Sequence, residues 1–177
     1  MSMTQTAFLK KADIPTNGQI QDIIQKLGYD FKVLSGLEKQ IDQDGLECSI
    51  NGHQTYFETY VDLADNVIAD HEADWIKPDI TNQDIAISFV WGADFAAGAC
   101  IGLISVALID NSNALIYYMD DQMKYSREML LADTPQFLSE LQKQNKRSEN
   151  QQGTVKTMPT NTQTKNTFWD KLKNIFK

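Results

Sequence analysis

One short acidic segment holds most of the side chains that could do chemistry. It contains Asp70, His71, Glu72 and Asp74. If the segment is helical, Asp70 and Asp74 share a face, since residues four apart are neighbours. Carboxylates and imidazole bind metals and transfer protons, but His53 is the only other histidine and belongs to a separate predicted turn. Metal sites need converging ligands, so the segment predicts a solvated acidic loop.

No familiar catalytic motif occurs in the chain. GxSxG, HExxH, a phosphate-binding loop and GxGxxG are all absent from the sequence, and two histidines with two cysteines do not assemble a nucleophilic site. Asp120 and Asp121 are paired carboxylates, but neighbouring strand residues point to opposite faces. We therefore expect a non-enzymatic protein without cofactor or metal. The alternative is an enzyme with an acidic site near residues 70–74.

The cysteines and the N-terminus indicate a cytoplasmic protein. Cys48 and Cys100 match no CxxC spacing, and Cys100 falls in an apolar segment where a free thiol behaves as a small hydrophobe. Lys10 and Lys11 are followed by no apolar run of the kind found in a secretory signal. Both features are typical of a reducing compartment.

Charge is distributed unevenly over the 177 residues. The net charge is −8, yet residues 38–84 hold twelve acids against Lys39 and Lys77, a net −10, and residues 143–177 hold eight bases against two acids, a net +6. Direct nucleic-acid binding by the acidic body is disfavoured, because phosphate contacts require Lys and Arg. The acids could serve solubility alone, or they could form a surface for a basic protein partner.

For the partner hypothesis, the contact residues lie in and beside the acidic segment. They are Asp62, Asp65, Asp70, Glu72, Asp74 and Trp75.

The segment between Ile85 and Met119 predicts the core. Ile85, Ile87, Phe89 and Trp91 alternate with smaller residues, as expected of a strand that buries one face. Asp94 can cap a helix over 94–110 that is apolar on every side and therefore buried or in a membrane. The uncharged run is shorter than the ~20 residues that span a bilayer, which favours a buried helix. A strand ending at Met119 follows.

Flanking segments supply the remaining elements. A helix is predicted over 16–28 with Thr16 or Asn17 as its cap, a strand over 29–34, and a hairpin over 45–63 with its type I′ turn at Asn51-Gly52. Apolar residues on both sides of the second hairpin strand predict a central or covered strand. Residues 64–69 predict one or two helical turns, and Pro135 predicts a break between helices 126–132 and 134–143.

The C-terminal part changes composition sharply. Residues 144–166 are polar and predict a disordered linker. Residues 167–177 predict a basic amphipathic helix, whose apolar side chains are Phe168, Trp169, Leu172, Ile175 and Phe176. This helix could dock on its own acidic body, lie on an anionic membrane surface or in a partner's groove, or fray in water. The membrane or partner hypothesis makes the protein a peripheral adaptor.

One family resemblance accompanies the core segment. Trp91-Gly92-Ala93-Asp94 before an alanine- and glycine-rich helix resembles small α+β bacterial proteins, including immunity proteins that accompany delivered toxins. The likeness covers about a quarter of the chain and transfers no individual residue. It implies a protein that occludes a cognate toxin, and an acidic surface would suit a basic one.

Together these features predict an α+β fold with a mostly antiparallel sheet packed by the buried apolar helix. The globular domain is predicted over residues 1–143 and is followed by the linker and the tail helix.

Overall fold

Residues 2–150 are described by a computed structural model of the chain, with side chains described through residue 148. The strands are β1 (Met3–Leu9), β2 (Phe31–Val33), β3 (Leu46–Ile50), β4 (His53–Leu63), β5 (Ile85–Trp91), β6 (Leu115–Tyr118) and β7 (Met123–Tyr125). The α-helices are α1 (Asn17–Lys26), α2 (Ala64–Asp70), α3 (Phe95–Ser112) and α4 (Arg127–Asn150), and Lys11–Asp13 and Asp74–Ile76 form 3-10 turns. The predicted tail contacts Phe168, Trp169, Leu172, Ile175 and Phe176 lie outside the described residues.

All seven strands join one sheet in the order β2-β3-β4-β5-β1-β6-β7. Every neighbouring pair is antiparallel. The central pairing of β1 with β5 runs from Met3 opposite Trp91 to Leu9 opposite Ile85. The predicted α+β class with an antiparallel sheet is confirmed.

Helix α3 covers one face of this sheet and forms the centre of the main core. Its first turn is capped by Asp94, whose Oδ1 accepts a hydrogen bond from the Ala96 amide at 2.8 Å. No charged side chain occurs before Asp110, so the helix can be buried between the sheet and α4 without leaving a charge unpaired. The prediction of a buried apolar helix is confirmed. Asp94 of the Trp-Gly-Ala-Asp segment therefore has a structural role at this helix terminus.

Within residues 2–150, α3 is the one helix that is long and apolar enough to cross a bilayer. Its mean hydropathy is 1.6, and 83% of its residues are buried inside the protein.

Two local predictions are confirmed by their backbone geometry. Thr16 caps α1 through a capping box with Gln19, in which each side chain accepts from the other residue's amide. Asn51 and Gly52 both have positive φ, as a type I′ turn between β3 and β4 requires.

The prediction that the second hairpin strand is central or covered is confirmed by the position of β4 between β3 and β5, but of its two alternatives the covered strand is wrong. Phe57 is buried against the core, whereas Tyr56 and Tyr60 are exposed on the opposite face. The aromatic side chains suggested burial on both sides. The carboxylates that alternate with them, Glu58 and Asp62, instead mark a face in contact with water.

The prediction that Pro135 divides the last helix is also wrong, since α4 continues to Asn150. Proline removes one backbone hydrogen bond, but Pro135 lies on the exposed side, and Phe137 and Leu141 bury their side chains against the core. That burial outweighs the cost of the missing bond. The helix also extends past residue 143, into the predicted linker.

Candidate functional site

Helix α2 and the following 3-10 turn form a cap on the second face of the sheet. Val67, Ile68 and Ile76 pack with Phe8 and Tyr117 in a second hydrophobic cluster. The apolar side of α2 is therefore held against the sheet, and its acidic side faces water. This packing holds the carboxylates of the cap on a rigid support.

The exposed carboxylates of this cap are named here the α2 surface, defined by Asp62, Asp65, Asp70, Glu72 and Asp74. Lys77 makes an ion pair of 2.7 Å with Asp74, and Asp62 Oδ1 accepts hydrogen bonds from the Leu63 amide and the Asn66 side chain. Among the described residues, the other three carboxylates make neither a side-chain hydrogen bond nor a close ion pair. The structure thus brings the predicted acidic residues onto one exposed cap.

Glu72 occupies a backbone position that normally favours glycine. Its φ is +49°, and it lies just after α2 in a Schellman motif, in which Ala73 N donates to Ile68 O and Glu72 N to Ala69 O. A left-handed conformation costs roughly 1–2 kcal/mol for a residue with a Cβ. The molecule thus carries a carboxylate at the α2 surface at some expense of stability.

Trp75 lies at the base of the α2 surface and is only half exposed. Its ring meets the Tyr117 ring edge-on, with centroids 5.4 Å apart. Tyr117 donates to Asp79 Oδ2 at 2.5 Å, and Lys124 donates to the same oxygen at 2.8 Å. Trp75 therefore anchors the loop to β6, with part of its ring left accessible.

The Asp79 contacts perturb two titrating groups. The Lys124 ammonium and then the Tyr117 hydroxyl, both hydrogen-bonded to the carboxylate, hold the pKa of Asp79 below its usual value. Burial first, and then the hydrogen bond to Asp79, raises the pKa of Tyr117. At neutral pH the carboxylate is ionised and the phenol protonated, so the contact is formed in its most stable state.

No metal-binding group of three His, Cys, Asp or Glu side chains converges within the part of the chain that the structure describes. His71 is exposed beside the α2 surface. His53 lies in the β3–β4 hairpin, where its Nε2 is 3.3 Å from Asn145 Nδ2 of α4. The two histidines therefore belong to separate elements of the fold.

A second exposed surface was missed in the sequence. Tyr56 and Tyr60 are 53% and 49% exposed on β4, and Glu58 lies between them opposite Val90, which in turn lies opposite Thr4. We name Thr4, Tyr56, Glu58, Tyr60 and Val90 the open sheet face. The available signal was the alternation of carboxylates with tyrosines at every second position of β4.

An acidic groove of about 500 Å³ adjoins the open sheet face at Tyr56. Its walls come from the β2–β3 connection, the start of β3 and Asn17 of α1. The carboxylates that line it are Glu38, Asp42, Asp44 and Glu47. Lys39 is the one basic residue in this lining, so the groove extends the negative potential of the second sheet face.

The two cysteines are neighbours in the core rather than separate thiols. Cys48 of β3 and Cys100 of α3 are both free and fully buried. A hydrogen bond with Cys48, followed by burial, raises the pKa of the Cys100 thiol. The pair is therefore chemically inert while the core is intact.

In comparisons with known proteins, no family model, curated sequence or solved structure matches this chain.

Proposed function

We propose that the protein is a non-enzymatic binding protein whose α2 surface docks on a basic region of a protein partner. The observation that carries the proposal is the α2 surface itself, with three carboxylates left without close partners on a cap fixed by its own hydrophobic cluster. Preformed charges on a rigid support favour specific association, because little order is lost on binding. Complementary charge also accelerates encounter with a basic partner.

An immunity or inhibitor role is the specific form of binding that we propose. The resemblance of the Trp91–Asp94 segment and its helix to immunity-type proteins supports it, as does the acidic character of residues 38–84. A protein of this type acts by occlusion and needs no catalytic group. Its partner would be a toxin with a basic active region, held in a cytoplasmic complex.

The test compares capture from native lysate by the full chain and two charge-matched variants. Asp70→Asn with Glu72→Gln removes two of the five negative charges of the α2 surface. Asp22→Asn with Asp30→Asn removes the same charge from exposed positions in α1 and just before β2. Asp70 lies at the C-terminal end of α2, where a negative charge is unfavourable, so its neutralisation does not weaken the helix.

We expect one basic protein to bind the full chain and the control variant equally, and the α2 variant roughly tenfold more weakly, as expected when charged pairs are lost from an interface. Quantitative mass spectrometry of the captured proteins, followed by titration with the purified partner, measures the difference. Equal binding by both variants, or capture of no basic protein by any of them, would contradict the proposal.

A further inference from the structure

Residues 2–150 cover the second face of the sheet over only half of its length. The cap formed by α2 and the 3-10 turn packs on Phe8, Ala86 and Tyr117. The next row of side chains toward the β3–β4 hairpin is Thr4, Val90 and Glu58. This row is exposed or half exposed, as is Tyr60. An antiparallel sheet with two large aromatic side chains on an uncovered face is a surface suited to docking.

Charge identifies the kind of segment that fits this face. Glu47, Glu58 and Asp62 lie on the same side of β3 and β4 as the two tyrosines. The basic residues on this side of the sheet lie on its two outer strands, Lys32 on β2 and Lys124 on β7. Lys124 is already paired with Asp79. A complementary occupant therefore has an apolar stripe for the tyrosines and Val90, flanked by positive charges for the carboxylates.

The chain itself contains a segment of that description. In residues 167–177 the apolar side chains Phe168, Leu172, Ile175 and Phe176 recur at helical spacing. Lys171, Lys173 and Lys177 lie off that stripe. Apolar residues would meet the tyrosine rings while the lysines reach Glu47, Glu58 and Asp62, and lysine over a tyrosine ring is itself favourable.

The route of the chain makes this contact attainable. Helix α4 passes the hairpin at the Asn145–His53 contact, so its end at Asn150 is about 8 Å further along the helix axis. From His53 to Tyr60 the strand advances about 23 Å. Residues 151–166 could span up to about 50 Å when extended, so the last segment can reach around the sheet end to its uncovered half.

We infer that residues 167–177 dock in cis on the open sheet face as an amphipathic helix. The segment completes the cover that α2 begins, with Leu172 and Phe176 against Tyr56, Tyr60 and Val90. This interaction shares only Asp62 with the α2 surface and does not involve the proposed partner. The acidic body and the basic C-terminal segment are then two halves of one intramolecular contact.

Zero-length carbodiimide cross-linking of the full chain tests this contact without any partner. The reagent joins a lysine amine to a carboxylate only when they touch, and mass spectrometry of the monomer maps the links. We expect Lys171 and Lys173 to link with Glu58, and with Glu47 or Asp62. In the double variant Leu172→Ser with Phe176→Ser all lysines remain, and the links should fall roughly tenfold because the apolar contribution is lost.

A second variant tests the sheet side of the contact, and a second measurement tests whether the segment is ordered. Tyr60→Ala should reduce the same links, whereas Tyr29→Ala, a change on the far side of the sheet, should not. Hydrogen exchange of residues 167–177 in the full chain should be about tenfold slower than in the isolated peptide.

Three results would overturn the inference. The first is cross-linking of the lysines to Asp65, Asp70 and Glu72 in the same yield as to Glu58. The second is cross-links found only between two chains. The third is hydrogen exchange of residues 167–177 that is as fast in the full chain as in the free peptide. Co-flotation of the unmodified chain with anionic vesicles, with no intramolecular links, would likewise assign the segment to a membrane instead. Capture of a basic protein tests the α2 surface independently of all these outcomes.

Discussion

Glu72 is a single residue whose backbone conformation destabilises the fold. Glycine would occupy this left-handed position without strain. The Glu72 side chain contacts no partner among the described residues. Strain of this kind often accompanies function, because selection for activity tolerates a loss of stability. Its place on the α2 surface is consistent with a binding role for the carboxylate.

Replacing Glu72 with glycine should raise the free energy of unfolding by about 0.5–1 kcal/mol, since relief of strain exceeds the extra chain entropy of glycine in the unfolded state. Urea denaturation measures the change. Glu72→Gln removes the same charge and keeps the strain, so the additional stability of Glu72→Gly over Glu72→Gln measures the relief of strain. Equal stability of the glycine variant and the parent protein would refute the strain argument.

At the scale of elements, the contact between α3 and α4 depends on two glycines that differ in their surroundings. A Cβ built on Gly98 would lie 2.4 Å from Cε1 of Phe137, whereas one on Gly102 would lie 3.5 Å from Oγ1 of Thr134. The Phe137 ring is buried beside Phe95. This Gly-xxx-Gly pair therefore provides close packing of two helices inside the protein.

Gly98→Ala should destabilise the protein by about 1–3 kcal/mol, because displacement of a packed ring outweighs the better helix propensity of alanine. Gly102→Ala is the matched control. It makes only an ordinary van der Waals contact and should be neutral or stabilising by up to about 1 kcal/mol. Thermal and urea unfolding of both variants provide the comparison, and an equally stable Gly98→Ala protein would show that the interface is loose.

The loop after α2 is attached to the sheet by a contact that depends on pH. Because the folded pKa of Asp79 is lowered, its stabilising contribution is complete above the unfolded value of about 3.9. That contribution is lost as the pH falls through the folded value. Acid should therefore loosen the Trp75 loop before the main core unfolds.

Lys124→Met removes the ammonium that lowers the Asp79 pKa most, so loosening should begin at a higher pH than in the parent protein. An acid titration, monitored by the NMR signal of the Trp75 indole N–H, measures the pH at which half of the loosening has occurred. Lys10→Met, an exposed change on the loop after β1, should leave it unchanged. An identical midpoint in all three proteins would show that this ion pair does not hold the loop.

For the whole molecule, the buried cysteine pair reports on the integrity of the main core. Cys48 and Cys100 join the sheet to α3 in the larger hydrophobic cluster, and no local opening of the α2 cap exposes them. A thiol without access to water does not react with alkylating reagents, and the raised pKa of Cys100 adds to that protection. The two thiols should therefore become reactive together, on global unfolding.

Iodoacetamide labelling at pH 8 should leave both thiols unmodified in native buffer. With increasing urea, modification should follow the unfolding transition seen by circular dichroism. Early labelling of one cysteine alone would reveal a local opening of the core that the packing does not predict. A Cys48→Ala variant distinguishes the two thiols by leaving Cys100 as the single reactive group.

The sequence by itself determined the elements whose signals are local. The uncharged segment after Asp94 could only be a buried or membrane helix, the Asn51-Gly52 pair specified a tight hairpin, and Thr16 with Gln19 specified a helix start. Each depends on hydrophobic periodicity or on backbone geometry within a few residues. The exposure of the acidic residues near α2 was predictable for the same reason, since unpaired charges stay in water.

Only the tertiary structure decided how these elements share their surfaces. Strand order places β4 inside the sheet, where the described part of the chain leaves Tyr56 and Tyr60 uncovered, and packing against α3 keeps α4 continuous through Pro135. The tertiary structure also brings Cys48 beside Cys100, although the two residues are distant in sequence. Such outcomes depend on contacts between distant residues, whose burial outweighs local propensity, and they therefore leave no local signal.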